Sequence, residues 1–298
     1  MSKQTKPIIF ITGASGMLGQ QLMADLAKDY QPVALQRDKS DPHHPTWNYC
    51  ESLQNHHIQQ PFAVIHLAGA GIASQRWTDN YKQLIYDSRI NGTNWLVNEI
   101  QNQPRQPEVF LCASAIGFYG HRPGEKLDES SDPGDNFVAD LSQQWELSAR
   151  QLADTDTRVV NMRFGLMLDQ SGGALKNMLL PFKLGLGGRI GSGEQMYSWV
   201  SLVDVSRAIR YLMKQPLNGP VNITSKNPVT NQTFSKSLAS QLSRPTFIPM
   251  PEWMARLIFK DLADELLLAD ACVLPAKLQS AGFSFQHEHI NQGLEAAL

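Results

Sequence analysis

Three glycines near the start of the chain, Gly13, Gly16 and Gly19, recur at a spacing of three in the string TGASGMLG. A short apolar run precedes them and an amphipathic stretch follows, which is the order of strand, turn and helix that binds a dinucleotide. One glycine permits the tight turn, the next lets a pyrophosphate lie against the backbone, and the third lets the helix pack closely on the sheet. The helix N-terminus adds free N–H groups and partial positive charge. The predicted cofactor contacts here are Gly13, Ser15, Gly16, Met17, Leu18 and Gly19.

An arginine follows the second predicted strand, where such a unit distinguishes its two cofactors. An acidic residue there binds the ribose hydroxyls of NAD, whereas an arginine suits the 2′-phosphate of NADP. Arg37 stands 18 residues after Gly19 (37 − 19), directly after the strand that ends at Gln36, and Asp38 comes one residue later. A guanidinium can hold a phosphate through two parallel hydrogen bonds. We therefore expect NADP, with NAD as the alternative cofactor and a solvated surface arginine as the alternative role of Arg37.

Apolar strand-like runs alternate with helical patterns through the first half of the chain, and this alternation predicts the frame that positions the turn. The predicted strands are Ile8–Thr12, Pro32–Gln36, Ala63–Ala68, Val109–Ala113 and Arg158–Arg163. The predicted helices are Met17–Asp29, Thr78–Gln101 and Ala139–Ala153. The expected fold class is α/β, a Rossmann doubly wound parallel sheet whose strands end at one ligand-binding edge.

The composition of the sequence changes after about residue 165. Residues 171–193 are rich in glycine and poor in charge, which predicts a long loop or lid with an embedded helix. The remaining predicted elements are a helix capped by Asp204, a strand at 220–224, and helices at 232–242 and 253–270. We expect a dinucleotide-binding domain over 1–165, to which 196–225 return, and a smaller, discontinuous α/β substrate domain over 166–195 and 226–298.

The composition limits the classes of partner. The chain has 298 residues, 42% of them apolar and 18% charged, which is enough for a sizeable core. Its net charge is −2 and its basic residues are scattered, so neither nucleic acid nor an anionic membrane is an expected partner. We see no membrane-spanning run and no secretory pattern. Three widely spaced cysteines give neither a disulfide framework nor metal-ligand spacing, so we expect a cytoplasmic protein without a metal.

Several strings together resemble the extended short-chain dehydrogenases/reductases of the NAD-dependent epimerase/dehydratase group. They are TGASGMLG, AVIHLAGAG (63–71), NGT (91–93), SAIGFYG (114–120) and SWVSLVDVSRAI (198–209). A second set resembles one branch of that group, the epimerase family proteins, which carry their own C-terminal domain. This set comprises RWT (76–78), PFKLGLGGRIGSGEQ (181–195), RPTFIPMPEW (244–253) and LPAKLQSAGFSF (274–285). The resemblance covers nearly the whole chain and implies a Rossmann fold with a nicotinamide cofactor.

The same resemblance shows that one part of the family's active site is missing. In the family, a Tyr-x-x-x-Lys pair lies on one helix face, and the lysine lowers the pKa of the tyrosine so that it can transfer protons near neutrality. The matching positions here are Phe137 and Leu141, or Val138 and Ser142, depending on the register, and neither pair can move a proton in the usual way. The family's catalytic Ser/Thr position falls on Ala115.

Other side chains are expected near the carboxyl ends of the strands. The strand end bordering the cofactor in the family assigns contacts to Leu67, Ala68 and Gly69, and Arg163 is expected to hold a phosphate or carboxylate, with a structural salt bridge as its alternative. His66 lies in an apolar strand, where a buried histidine is expected. The catalytic candidates are Ser114 and Tyr119, the latter with a core aromatic as its alternative. The expected substrate-pocket contacts are Arg76, Trp77, Arg189, Gln195 and Trp199, the last three from the glycine-rich lid.

Three functional hypotheses follow. The first is an NADP-dependent oxidoreductase or nucleotide-sugar epimerase-like enzyme with a non-standard proton relay, acting on a small molecule of unknown identity. The second is a catalytically inactive NADP-binding sensor or scaffold, which the missing tyrosine–lysine pair favours. The third is a folded protein with an empty nucleotide site. The resemblance also implies a homodimer, since related proteins often pair through the helices at 78–101 and 136–153.

Overall fold

The computed structural model describes residues 6–56 and 62–298. The described strands are β1 (Ile8–Thr12), β2 (Gln31–Ala34), β3 (Ala63–His66), β4 (Val109–Ala115), β5 (Lys126–Leu127), β6 (Arg158–Phe164), β7 (Leu166–Leu168), β8 (Met196–Tyr197), β9 (Trp199–Ser201), β10 (Gly219–Ile223), β11 (Val229–Thr230) and β12 (Cys272–Val273). The described helices are α1 (Met17–Leu26), α2 (Tyr49–Asn55), α3 (Asp79–Gln101), α4 (Phe137–Arg150), α5 (Gly173–Lys183), α6 (Leu202–Lys214), α7 (Asn231–Gln241), α8 (Glu252–Phe259), α9 (Ala276–Ser280) and α10 (Ile290–Ala297). A 3₁₀ turn covers Ile116–Tyr119 and a π turn covers Ala263–Leu267.

Six parallel strands form the central sheet in the order β10-β6-β4-β3-β1-β2. The chain places β2 on one side of β1 and then crosses to place β3 on the other side, so the direction of strand addition reverses at β1. In an open parallel sheet, ligands bind outside the carboxyl ends of the strands at such a reversal. The predicted α/β doubly wound sheet is confirmed, and its crevice lies between the ends of β1 and β3.

Helices cover both faces of this sheet, which explains why its strands are apolar without alternation. In β1, Ile9, Phe10 and Ile11 are at most 1% exposed. Helix α1 packs on α6, and α3 packs on α4. Right-handed crossovers place these two helix pairs on opposite faces because strand addition changes direction at β1.

A second group of buried side chains packs away from the central sheet. It joins α5, α7, α10 and the short strands β8 and β9 through Leu175, Phe182, Tyr197, Trp199, Phe234 and Leu294. Strand β8 pairs with β11, and β7 pairs with β9. By contrast, β10 lies at the edge of the central sheet. Helix α6 packs against α1 and against β4 of that sheet. The division of the chain into two domains stays a prediction.

Two expectations about the second half of the chain are wrong. The helix predicted over 253–270 stops at the end of α8, because Lys260 has a φ of +52° and turns the chain before the π turn. The N-cap of α6 is Ser201 and not Asp204, since the Ser201 hydroxyl accepts the N–H of Asp204 at 3.1 Å. Asp204 lies in the first turn, where its buried carboxylate accepts the N–H of Gln286 and so anchors the C-terminal segment. No described helix is long and apolar enough to cross a membrane.

Candidate functional site

The glycine turn joins β1 to α1 at the crevice. Gly13 has a φ of +70°, which glycine adopts without strain, and a Cβ there would lie 3.0 Å from the backbone nitrogen of Ala68. The turn therefore contacts the loop after β3 backbone to backbone. A Cβ at Gly19 would overlap the carbonyl oxygen of Gly13 and lie 2.6 Å from the Cα of Ala14. The third glycine thus lets α1 pack closely on the turn itself, whereas the sequence predicted close packing on the sheet.

The N-terminus of α1 is open beside this turn. Gly16 is the N-cap residue, and no side chain caps the helix. Ser15 and Gly16 are exposed, whereas the side chains of Met17 and Leu18 pack against the core. Met17 and Leu18 therefore offer a ligand their backbone N–H groups and not their side chains. Uncapped N–H groups at a helix N-terminus bind phosphate groups well.

Arg37 lies just beyond the carboxyl end of β2. Its backbone forms an isolated antiparallel β-bridge with Trp47, which fixes the position of its Cα. The side chain is exposed and pairs with no side chain among the described residues. The neighbouring Asp38 carboxylate accepts the N–H of Ser40, and this hydrogen bond lowers the pKa of Asp38. Arg37 is therefore a charged group at this strand end that can meet an anionic ligand.

Thr12 ties the loop after β3 to the end of β1. Its hydroxyl accepts the N–H of Leu67 at 3.1 Å and the N–H of Ala68 at 3.2 Å. Because both lone pairs are then used, the hydroxyl hydrogen points to Nδ1 of His66 at 2.7 Å. The proton of His66 consequently lies on Nε2, which donates to Thr93 at 3.1 Å. Burial lowers the pKa of His66 to about 3, so this histidine is a neutral structural link, as the sequence predicts.

Side chains on and before α3 hold the rest of this loop. Ser88 accepts the N–H of Ala70 at 3.0 Å, and Arg89 donates to the carbonyl oxygen of Ala70 at 3.0 Å. The indole N–H of Trp77 donates to the carbonyl oxygen of Ile72 at 2.7 Å. Trp77 is only 4% exposed, so it is a core residue and not the substrate clamp that we expected.

The two predicted catalytic side chains belong to a buried network at the ends of β4 and β6. Ser114 donates to Glu146 at 2.8 Å, and Arg163 makes two hydrogen bonds to Glu146 at 2.7 and 2.9 Å. Arg163 also donates to the hydroxyl of Tyr119 at 2.9 Å, and that hydroxyl donates to Asn222 at 2.8 Å. All five residues are at most 3% exposed. Because every nitrogen of its guanidinium is used, Arg163 is a structural salt-bridge residue and not the expected cofactor contact.

This network leaves its two hydroxyl groups poorly placed for proton transfer. Burial raises the pKa of Tyr119 to about 12, and the nearby Arg163 offsets the rise only in part. The hydroxyl hydrogen of Ser114 is committed to Glu146. These contacts favour structural roles for Ser114 and Tyr119, and catalytic roles for them stay predictions.

Helix α4, on which the resembled family carries its tyrosine and lysine, is covered by the C-terminal segment. Val138 and Leu141 are each 3% exposed and share an apolar cluster with Leu262. The carboxylate of Glu265 accepts the N–H of Phe137 at 3.3 Å and the N–H of Val138 at 3.1 Å. The N-terminus of α4 is therefore capped by a side chain from a distant part of the sequence.

The remaining residues expected in the substrate pocket have mixed outcomes. Arg76 is exposed, and Arg189 donates to carbonyl oxygens of its own loop. Gln195 is 6% exposed and joins the lid to the C-terminal segment by donating to the carbonyl oxygen of Leu267 at 3.0 Å. Trp199 is fully buried in the second core, so its assignment to the substrate pocket is wrong.

A cleft of about 530 Å³ lies between the lid, the C-terminal segment and the N-terminus of α4. A volume of this size suits a small molecule. Its lining is polar and largely acidic, and comprises His121, Asn136, Ser192, Glu194, Gln195, Glu252, Arg256, Asp264, Glu265, Leu268 and Asp270. The guanidinium of Arg256 is already paired with Glu252 and Asp264. Within residues 6–56 and 62–298, no group of three or more His, Cys, Asp or Glu side chains is arranged to hold a metal ion.

His121 is a residue of this cleft that the sequence did not single out. It is exposed, and its Nδ1 accepts the backbone N–H of Asp270 at 3.0 Å. This bond leaves Nε2 to carry the proton of the neutral ring. An imidazole oriented in this way can act as a general acid or base. No local motif signals this role, because Asp270 lies 149 positions from His121 in the sequence.

Comparisons with known proteins agree with the resemblance seen in the sequence. The sequence model of the NAD dependent epimerase/dehydratase family matches residues 9–224, and that of a domain of unknown function, DUF1731, matches residues 250–297. An epimerase family protein of Mycobacterium bovis is 36% identical over 291 residues, which cover 96% of each chain. The predicted membership in an epimerase-like branch with its own C-terminal domain is therefore confirmed.

Two solved structures are similar along nearly the whole chain. The human epimerase family protein SDR39U1, determined with NADPH, has a TM-score of 0.87 and 26% identity, with 97% of this chain and 98% of that chain covered. A nucleoside-diphosphate sugar epimerase from Corynebacterium glutamicum has a TM-score of 0.76 and 28% identity. The match covers 98% of this chain and 59% of the Corynebacterium chain.

Proposed function

The chain belongs to the NAD dependent epimerase/dehydratase family, and from that premise we propose that it binds NADP(H) as an oxidoreductase or nucleotide-sugar epimerase-like enzyme. The observation that carries the proposal is the uncapped N-terminus of α1. It opens beside Gly13 and Gly16, at the reversal point of the sheet, where a pyrophosphate would meet free N–H groups. Ser15 and Gly16 are exposed at this point, and no described side chain caps the helix.

Arg37 supports NADP over NAD. Its free, exposed guanidinium follows β2, where the adenosine ribose of a dinucleotide lies in this fold. The neighbouring Asp38 carboxylate already accepts the N–H of Ser40, so it has less capacity to accept a hydrogen bond from a ribose hydroxyl. The similar human protein was determined with NADPH, which agrees with this preference.

When bound, the nicotinamide cofactor would supply a hydride to a carbonyl carbon of the substrate or accept one in the reverse direction. In the reducing direction the carbonyl oxygen would then need a proton from the protein. The proton must come from a side chain that the substrate can touch. Ser114 and Tyr119 are tied in the buried network, so our proposed donor is His121, which lines the cleft that the substrate would fill.

A second candidate function is an NADP-binding sensor or scaffold without chemistry. The observation that favours it is the structure of α4. The positions that match the family's tyrosine and lysine are occupied by residues without titratable side chains, and their face of the helix packs under Leu262. In this case the cofactor would bind without turnover.

Titration calorimetry with NADPH and NADH tests the proposal. We expect the purified protein to bind NADPH more tightly than NADH, since only NADPH carries the 2′-phosphate. The Arg37→Gln variant should weaken NADPH binding by about tenfold or more and leave NADH binding nearly unchanged. Arg210→Gln is the matched control, because it removes an equal charge from α6, where Arg210 pairs with Asp29.

The outcomes separate the hypotheses. If neither dinucleotide binds at millimolar concentration, the nucleotide-binding proposal is wrong and the hypothesis of a folded protein with an empty nucleotide site remains. If NADPH binds but no carbonyl substrate is turned over, the sensor or scaffold is favoured.

We also propose that the substrate is a small molecule bound in the cleft of about 530 Å³, and that the protein forms a homodimer through α3 and α4.

A further inference from the structure

Most of the large apolar side chains that are exposed belong to one part of the surface. They lie at the end of α5, in the lid after it, in the segment between α7 and α8, and on α8 itself. The described residues of this group, called the apolar face, are Leu180, Leu184, Leu186, Phe247, Ile248, Trp253, Leu257 and Ile258. Single exposed apolar residues are normal on a protein surface, whereas a large group of them marks an interaction site.

Hydrogen bonds hold the lid and the segment between α7 and α8 side by side. The N–H of Met250 donates to the carbonyl oxygen of Arg189 at 2.8 Å, and the guanidinium of Arg244 donates to the carbonyl oxygen of Lys183 at 2.9 Å. Helix α8 starts at Glu252, directly after this segment. The apolar face therefore joins stretches that are more than one element apart in the sequence.

The side chains of the apolar face stand out from the surface. Phe247 is 87% exposed, and Leu180 and Leu257 are 66% and 68% exposed. A side chain that lines a binding groove is partly covered by the walls of the groove, whereas these three are mostly uncovered. They therefore suit insertion into a soft apolar phase better than the docking of a rigid helix or strand.

The surface around the apolar face is positively charged. Residues 171–193 and 229–251 contain no aspartate or glutamate. Their basic residues are Lys176, Lys183, Arg189, Lys236 and Arg244. The three lysines are exposed, and none of them forms an ion pair within residues 6–56 and 62–298. Helices α5 and α7, which carry these lysines, pack against each other, so the fold collects basic residues that are scattered in the sequence.

The charge of this surface decides between its possible occupants. In a two-fold dimer a second copy would meet the face with the same face, so the lysines of one copy would lie near those of the other and repel them. A bilayer with anionic lipids complements the face instead. Apolar tips such as Phe247 can enter the boundary between headgroups and acyl chains, while the lysines around them reach the lipid phosphates.

We propose that the apolar face and its lysines bind the surface of a membrane that contains anionic lipids. The sequence predicted no such partner because its basic residues are scattered, and the proposal revises that expectation. It is independent of the proposed function, since none of these residues belongs to the glycine turn or to the loop after β3.

Co-sedimentation of the full chain with lipid vesicles tests the proposal. We expect the wild type to bind vesicles of equal parts phosphatidylglycerol and phosphatidylcholine about tenfold or more tightly than vesicles of phosphatidylcholine alone, and to be released by salt. The double variant Lys176→Gln and Lys183→Gln should bind the mixed vesicles about tenfold or more weakly. The matched control, Lys28→Gln and Lys39→Gln, removes two exposed lysines near β2 and should bind like the wild type.

A second pair of variants tests insertion of the apolar tip. Phe247→Ser should weaken binding to the mixed vesicles by about tenfold, whereas Phe247→Trp should retain it, since tryptophan suits the membrane interface. Both positions are exposed, so folding is unaffected and circular dichroism should show equal spectra.

Three results would overturn the membrane assignment, and each would leave the nucleotide-binding proposal standing. The first is a wild type that binds neither kind of vesicle, or binding that neither the lysine variant nor Phe247→Ser changes. The second is binding to immobilised polyglutamate without binding to vesicles, which would assign the face to an acidic protein. The third is a halved particle mass of Phe247→Ser in light scattering, which would make the face an interface between two copies.

Discussion

Protonation of His66 should destabilise this fold, and the perturbation is a fall in pH from 7 to 5. The ring of His66 is fully buried, with Trp47 at 5.3 Å and Phe110 at 6.1 Å between ring centroids. Its Nδ1 must accept the hydroxyl hydrogen of Thr12, whose lone pairs already bind the loop after β3. A second ring proton would face that hydrogen, and no described carboxylate pairs with the ring to stabilise the charge.

The expected magnitude comes from the two pKa values of this ring. Burial lowers the pKa of His66 from 6.5 to about 3. The unfolded chain therefore binds one more proton than the folded chain between these values, and the free energy of unfolding falls as the pH falls through this window. At pH 5 the pH is 1.5 units below the pKa of His66 in the unfolded chain. The free energy of unfolding is therefore about 2 kcal/mol lower than at pH 7.

Urea denaturation at pH 7 and pH 5 measures this loss in the wild type and in His66→Gln, which cannot titrate. We expect the wild type to lose about 2 kcal/mol more than the variant over this interval, whatever the absolute stability of the variant. The matched control is His44→Gln, which removes an exposed histidine from a surface loop and should keep most of the wild-type slope. Parallel losses in wild type and His66→Gln would refute the tautomer and burial assigned to His66.

Two further predictions concern the glycine turn and the proton donor. Gly19→Ala should destabilise the protein by about 3 kcal/mol, because its Cβ would overlap the carbonyl oxygen of Gly13. Gly16→Ala should fold normally, because its Cβ would lie 3.3 Å from the same oxygen. Thermal denaturation of the two variants checks this, and equal melting temperatures would contradict it. His121→Asn should lower turnover of a carbonyl substrate by about 100-fold or more. Tyr119→Phe should retain turnover and lower the free energy of unfolding by about 1 kcal/mol. Steady-state kinetics with both variants checks this, and reversed effects would assign proton donation to the phenol of Tyr119.

The part of this protein that binds a dinucleotide could be predicted from short strings. Strand, glycine turn and helix are adjacent in the sequence, so their periodicity and glycine spacing report them directly. The strands β1, β3, β4 and β6 all begin at the predicted residues and differ by at most two residues at their ends. Arg37 could be singled out for the same reason, because only α1 and β2 separate it from the turn.

The sequence left a salt bridge open as the alternative role of Arg163 and gave no signal for the burial of Trp199, because the groups that decide both roles are distant in the sequence. Arg163 looks like a free cation at a strand end until α4 brings Glu146 against it. Trp199 looks like a lid residue until α7 and α10 enclose it.

The C-terminal segment packs on α4, the helix that carries the tyrosine and lysine in the resembled family. The helix face that would present them is the face on which Leu262 packs and whose first N–H groups Glu265 accepts. A lysine at Leu141 would be buried in an apolar cluster, where an unpaired ammonium is strongly destabilised. Restoring the pair by Phe137→Tyr and Leu141→Lys would therefore break the attachment of residues 262–267 before it supplied a proton relay. The C-terminal segment thus packs where the family's acid–base pair would stand, which is why our proposed proton donor is His121, a cleft residue whose imidazole is oriented by the N–H of Asp270.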